Sequence, residues 1–188
     1  MDKEKIIQET ENFMKKNIPK SRITKEGSSE IYFRHVLGVK KYALHLAELY
    51  NADKFIVTIA ALLHDVGADA GKYHAEESAK ISRKFLSRFD IPENIKEKII
   101  RCIEKHSIGS NTETIEEQIV QDADGIIFIE DTFKFFFDEQ KQKFPHEEAK
   151  KLSIKKIKEM MNKIKTEEGI RLAKNFFSVS LSYLESTF

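Results

Sequence analysis

Cysteine, proline and glycine are all scarce in this 188-residue chain, numbering one, three and seven. The single thiol, Cys102, excludes an internal disulfide framework and any cysteine-rich zinc site. The glycines are scattered: Gly67, Gly71 and Gly109 lack the spacing of a phosphate-binding P-loop. No apolar run approaches the roughly 20 residues that span a bilayer. The N-terminus, Met1-Asp2-Lys3-Glu4-Lys5, enters a charged amphipathic pattern without an apolar signal core, so a cytoplasmic location and no membrane partner are expected. The formal net charge is only +1, which gives no global pull toward nucleic acid. Alternating apolar and polar residues of useful strand length are missing too, as are repeats and linkers.

What is present reads as helices joined by short polar breaks, with 40% hydrophobic and 34% charged residues, as suits a globular chain. Ile6, Ile7, Phe13 and Met14 keep helical spacing before a break at Ser21 to Ser29. A second helix is predicted from about Glu30 to Tyr50, and Asp53 suits the N-cap of a third. Gly67, Gly71 and Tyr73 mark a loop, followed by helices from about His74 to Phe89 and from Pro92 to His106. Thr114 and Glu117 have the spacing of a capping box, while Pro145 and Thr166-Glu167-Glu168 open the last two helices. The expectation is a single all-α domain over 1–188, with a core at about 30–130 and C-terminal helices at 145–187 packing on it.

The chemically loaded feature is His64-Asp65, at the end of the apolar run Ile56 to Leu63 and ahead of Val66-Gly67. A buried imidazole beside a carboxylate needs hydrogen-bond partners or a cation to offset lost hydration. Neighbours on a helix point about 100° apart, so the two reach one ion only near a helix end, which Gly67 supplies. His35 lies upstream on a helix whose apolar flank is Tyr32, Val36, Val39, Tyr42, Ala43 and Leu46. Downstream, Gln121-Asp122-Ala123-Asp124-Gly125 carries carboxylates inside an apolar segment, with His74 and His106 between.

This ordered H…HD…D set, with Leu62-Leu63-His64-Asp65-Val66-Gly67 and His35-Val36-Leu37-Gly38-Val39 around it, resembles the HD-domain superfamily of metal-dependent phosphohydrolases from about Phe33 to about Ile127. The resemblance implies a helical bundle in which His35, His64, Asp65 and Asp124 bind a divalent cation. Asp124 is preferred to Asp122 because it follows a small residue, although Gly125 stands where the family often has a bulky or basic one. Oxygen and nitrogen donors suit Mn, Fe, Co, Ni, Mg or Zn. The stretch from His74 to His106 is similar to members with extra histidines, so these two are expected to hold a second metal or a substrate phosphate, with Arg34 and Lys105 adding positive charge. The implied activity is hydrolysis of a phosphoester, most simply of a nucleotide or related small metabolite, with His64 and Asp65 catalytic and Asp65 orienting the attacking water.

Other features read as scaffold. His45 and His146 are expected at the surface, and Cys102 as a buried inert thiol. The Phe133 to Phe137 cluster with Phe128 and Phe144 is expected in helix contacts, with a base-stacking wall as the other possibility. Ile154, Ile157, Met160, Met161 and Ile164 form a stripe that packs the bundle or mediates a homodimer. Three further readings stay open: a metal- or nucleotide-binding sensor without turnover, a helical interaction module, and a di-iron oxygenase.

Overall fold

The computed structural model describes residues 1–186, and every regular element among them is helical, so the all-α expectation holds. Helix α1 spans Lys3–Lys16; a 3-10 turn at Lys20–Arg22 precedes α2 (Glu30–Leu49) and α3 (Lys54–Leu63). A 3-10 stretch, Ala68–Tyr73, occupies the expected loop and leads into α4 (His74–Leu86) and α5 (Glu93–Lys105). Next, α6 (Ile115–Ile127) passes through a π-helical turn, Phe128–Thr132, into α7 (Phe133–Lys141). The last two are α8 (His146–Lys163) and α9 (Glu167–Ser186); the expected end of the last helix, residue 187, lies outside the described residues.

Helix α3 is the centre of the packing. Every residue from Phe55 to Leu63 is buried, as befits a helix that is apolar all round, and α1, α2, α5 and α6 enclose it. Asp53 starts it, its Oδ1 accepting hydrogen bonds from the Phe55 and Ile56 amides at 2.8 and 3.3 Å. The chain leaves α3 in tight turns, and Gly67 lets that exit lie against α4: a Cβ there would sit 2.5 Å from the Ser78 amide nitrogen. One apolar core runs from Ile6 on α1 to Leu184 on α9 and includes Ile157, Met160 and Ile164 of the expected α8 stripe.

Some local expectations need correction. The Thr114 hydroxyl accepts from the Glu117 amide at 3.3 Å, but Glu117 does not return to Thr114. Its carboxylate takes the Glu113 amide at 2.8 Å and Arg101 Nε at 2.9 Å, because the arginine on α5 offers a stronger, charged partner. His146 is half-buried with its ring edge-on to Phe137 at 5.6 Å, so it is not a simple surface residue. Phe133, Phe137 and Phe128 do join the core, whereas Phe144 is exposed. His45 is half-exposed and pairs with Glu168 at 3.0 Å, and Cys102 is buried, which pushes its thiol pKa up.

The α2–α6 crossing depends on Gly38, where a Cβ would meet Ile127 Cδ1 and Cγ1 at 2.5 Å. Overpacking costs about 1–3 kcal/mol, whereas alanine's helix preference over glycine returns only about 0.5–1 kcal/mol. Gly38→Ala is therefore expected to lower stability by about 1 kcal/mol in urea denaturation; an increase would show that the two helices do not meet this tightly.

Candidate metal centre

Four imidazoles converge at one end of α3, and three are aimed by the same device. His64 follows the last residue of α3, His106 the last of α5, and His74 closes the 3-10 stretch. Each ring Nδ1 lies against the carbonyl three residues back: Ala61 at 2.8 Å, Ile103 at 2.6 Å and Gly71 at 2.9 Å. A carbonyl only accepts, so each Nδ1 carries a hydrogen and each Nε2 is turned to the centre, where that of His74 also has the Ser107 hydroxyl at 3.1 Å. His35 comes from mid-α2, and its Nδ1 meets the Thr132 hydroxyl of the π turn at 3.1 Å.

The Nε2 atoms then face one another. His74 and His106 approach to 3.0 Å, and His35 and His64 to 3.1 Å. Two lone pairs at that distance repel unless a proton or cation lies between them. Burial drives the pKa of His35 down to about 4 and that of His106 to about 3, so near pH 7 neither ring holds a second proton. Carboxylates complete the donor set. Asp124 Oδ1 is 3.3 Å from His35 Nε2 and 4.0 Å from His64 Nε2. Asp65 lies 3.9 Å from His35, 3.8 Å from His106 and 3.9 Å from His74. Two overlapping buried groups, His35-His64-Asp124 and His64-Asp65-His106, each bring their ligand atoms within 4.8 Å of one another and could hold a metal ion. Buried nitrogen and oxygen donors without thiolate fit a borderline or hard divalent cation.

Burial alone would raise both aspartates, but a nearby cation overcomes it and holds each below the usual carboxylate range: Arg22 for Asp65 and Lys163 for Asp124. Arg22 Nη2 lies 2.9 Å from Asp65 Oδ2, and Lys163 Nζ is bonded to Asp124 Oδ2 and, at 3.1 Å, to the His106 carbonyl. A cavity of about 320 Å³ opens onto the cluster, lined by His35, Asp65, His74, His106 and Asp124, by Arg22, Lys143 and Lys156, and by Phe128, Phe135 and Phe136.

His35, His64, Asp65, Asp124, His74 and His106 are thus brought together. Asp122 is not with them: its carboxylate accepts from the Thr166 amide and hydroxyl and the Lys165 amide at 2.9, 2.6 and 2.9 Å, holding the start of α9. Arg34 and Lys105, expected to add charge at the rim, do not line the cavity. Arg34 is drawn to Asp131 at 3.1 Å, and Lys105 contributes its carbonyl, which accepts from Gln121 Nε2 at 2.8 Å. Arg22, Lys163, Tyr32 and Thr132 escaped the sequence reading. Only Tyr32 carried a usable signal, sharing the apolar flank of α2 one turn before His35.

The sequence profile of the HD domain matches residues 32–128, just over half of the chain. The chain belongs to the HD-domain family. Its fold is shared with Bacillus subtilis YpgQ, at 22% identity and a TM-score of 0.76 over 98% of this chain and 95% of that one. YpgQ has also been solved in complex with ADP. An HD-superfamily hydrolase of Bacillus thuringiensis superposes with a TM-score of 0.73 at 23% identity, over 97% and 95% of the two chains. A tRNA (cytidine(56)-2'-O)-methyltransferase of Picrophilus torridus is 30% identical over 159 residues, a match spanning 74% of this chain and 44% of that protein. The match therefore spans less than half the length of that relative.

Two outcomes follow from this geometry. Asp124→Asn is expected to weaken manganese binding by at least about tenfold, or 1.4 kcal/mol, while Asp122→Asn leaves it unchanged and lowers the melting temperature; calorimetric titration of both variants checks this, and the reverse pattern would exchange the two roles. In chelator-treated protein, His35 and His106 bind protons more weakly folded than unfolded, where the ordinary value is 6.5. Stability is then complete above about pH 6.5 and falls as pH drops toward 4. The depressed aspartates withdraw their contribution only below their ordinary value of 3.8. Melting temperature against pH reads this directly, and a flat profile from 6.5 to 4 would contradict it.

Proposed function

We propose that this HD domain is a metal-dependent phosphohydrolase acting on a phosphoester of a nucleotide or a related small metabolite. The observation that carries the reading is the pairing of histidine lone pairs and two ionised carboxylates at the floor of a cavity whose walls supply cationic and aromatic side chains. His35, His64 and Asp124 would hold a divalent ion, with His64, Asp65 and His106 able to share it or hold a second. Bound there, Mn, Fe, Co, Ni, Mg or Zn supplies Lewis acidity toward water and a phosphoryl oxygen. Asp65, within 4 Å of three rings, orients the attacking water through whichever carboxylate oxygen is free, and His74 stands at the cavity wall to receive a substrate oxygen.

The rest of the cavity favours a phosphorylated ligand with an aromatic part. Lys143 and Lys156 offer charge to phosphates. Phe128, Phe135 and Phe136 present an apolar shelf on which a base can stack. The ADP complex of YpgQ supports a nucleotide on grounds of shared fold. The Bacillus thuringiensis neighbour supports hydrolysis in the same way.

The test is a panel of phosphomonoesters, phosphodiesters, nucleoside diphosphates and triphosphates, with tRNA included for the methyltransferase relative, assayed with each metal. Turnover is expected on a small nucleotide, and His64→Ala or Asp65→Ala should lower kcat/KM by at least about 1,000-fold, roughly 4 kcal/mol of transition-state stabilisation. Phe136→Ala should raise KM for a nucleotide about 5- to 100-fold, the worth of one stacked base, and leave a base-free sugar phosphate unaffected. Tight nucleotide binding without turnover under every metal would replace the hydrolase reading with that of a sensor.

A further inference from the structure

Three buried polar side-chain atoms have no hydrogen-bond partner among the described residues: Arg22 Nε, Tyr32 Oη and Ser82 Oγ. Buried donors are overwhelmingly satisfied in folded proteins, so an orphan facing a cavity points to a ligand. Arg22 and Tyr32 both line the cavity over the metal centre, whereas Ser82 does not. Tyr32 is 1% exposed; its ring packs with Met14, Val36 and Leu62, which leaves the hydroxyl as its one polar outlet. Burial and the Asp65 charge push its pKa up, so the phenol keeps its proton and donates.

Arg22 is held from both ends. Asp69, just beyond the His-Asp pair, accepts the Lys20 and Ser21 amides at 3.0 and 2.7 Å and pins the 3-10 turn. Asp65 takes Nη2 at 2.9 Å. The guanidinium is planar, so these anchors fix the direction of the remaining Nε–H donor. Tyr32, Arg22 and Asp65 line the same cavity. Two fixed donors, one of them cationic, next to a carboxylate that already has its own partner, suit an acceptor-only anion with several oxygens.

We propose that Arg22 Nε and Tyr32 Oη form an oxyanion subsite that binds a non-bridging oxygen of the substrate's phosphoryl group beside Asp65. The inference rests on the phosphoester reading above and assigns to that site two residues, one of which lies outside the segment matching the HD domain. It also accounts for an unfavourable feature of the fold: an unpartnered phenol persists in the core because the bound anion satisfies it.

The test reads binding, not turnover. Inorganic phosphate is titrated calorimetrically into manganese-loaded wild type, Tyr32→Phe and Arg22→Lys, with metal content measured in the same samples. Each variant is expected to weaken phosphate binding about tenfold with manganese content unchanged. Tyr32→Phe should also melt about 2–4 °C higher, since it removes a buried hydroxyl that lacks a partner when no anion is bound. A change below about threefold in either variant overturns the proposal, as does loss of manganese from either, which would assign the residue to the ion. Absence of phosphate binding by the wild type overturns it as well. Failure of every substrate in the hydrolysis panel would remove the hydrolase reading yet leave a positive phosphate result standing.

Discussion

The structure depends on imidazole lone pairs held face to face in the interior. Left alone, that arrangement is unfavourable, and it persists because the backbone aims the rings. His64, His74 and His106 each stand just past a helical segment, where the last carbonyls have no intrahelical donor. By donating Nδ1–H to the carbonyl three residues back, each ring commits its Nε2 to the centre; for His74 that carbonyl, Gly71, also accepts the His74 amide. One local interaction therefore ends the segment, fixes the tautomer and sets the ring direction. His35 lacks a helix end and borrows a hydroxyl from another element.

Charge balance extends the centre beyond its histidine and aspartate core. Two ionised carboxylates in a buried cluster need compensation, and it comes from Arg22 before the matched segment and Lys163 after it. Helix α8 therefore contributes more than packing: Lys163 ties Asp124 on α6 to the carbonyl of His106 at the end of α5. Gln121 reinforces the same junction, its amide donating to the carbonyls of Lys105, Ser107 and Ser110 at 2.8, 3.3 and 3.2 Å. The side chains that hold the loop after α5 are those of α6 and α8, which also carry the distal carboxylate and its counter-charge.

The sequence made legible what depends on local pattern. Helix starts at Asp53 and Thr114, the end of α3 at His64 and the apolar flank around His35 follow from spacing and capping chemistry, and the structure shows them. Gathering four histidines and two aspartates rested on the family resemblance that their order carries. Long, flexible cations were not legible. Lys163 sits in a run of charged residues indistinguishable from a solvated face, yet it is buried because Asp124 lies within its reach. Arg34, adjacent to His35, turns outward to Asp131, since neighbours on a helix point about 100° apart. Asp65 instead takes its counter-charge from Arg22, 43 residues away in sequence and brought to it only by the fold.

The π turn at Phe128–Thr132 shows how backbone irregularity joins these two kinds of information. An α-helix continued from Ile127 would carry Thr132 and the phenylalanines at a different angle, because a π turn takes up an additional residue. As built, Thr132 faces His35 Nδ1, Phe133 and Phe137 enter the core, and Phe135 and Phe136 line the cavity. The aromatic cluster therefore divides between packing and the cavity wall, so neither sequence reading of it was complete. Gly38 stands one turn beyond His35 and lies against Ile127, the last residue before the turn, so the α2–α6 crossing adjoins that irregularity. A close helix crossing, a shifted backbone register and a ring held from its far nitrogen make one mechanical unit. Through it, α2 brings its histidine to the Asp124 carboxylate on α6 at 3.3 Å.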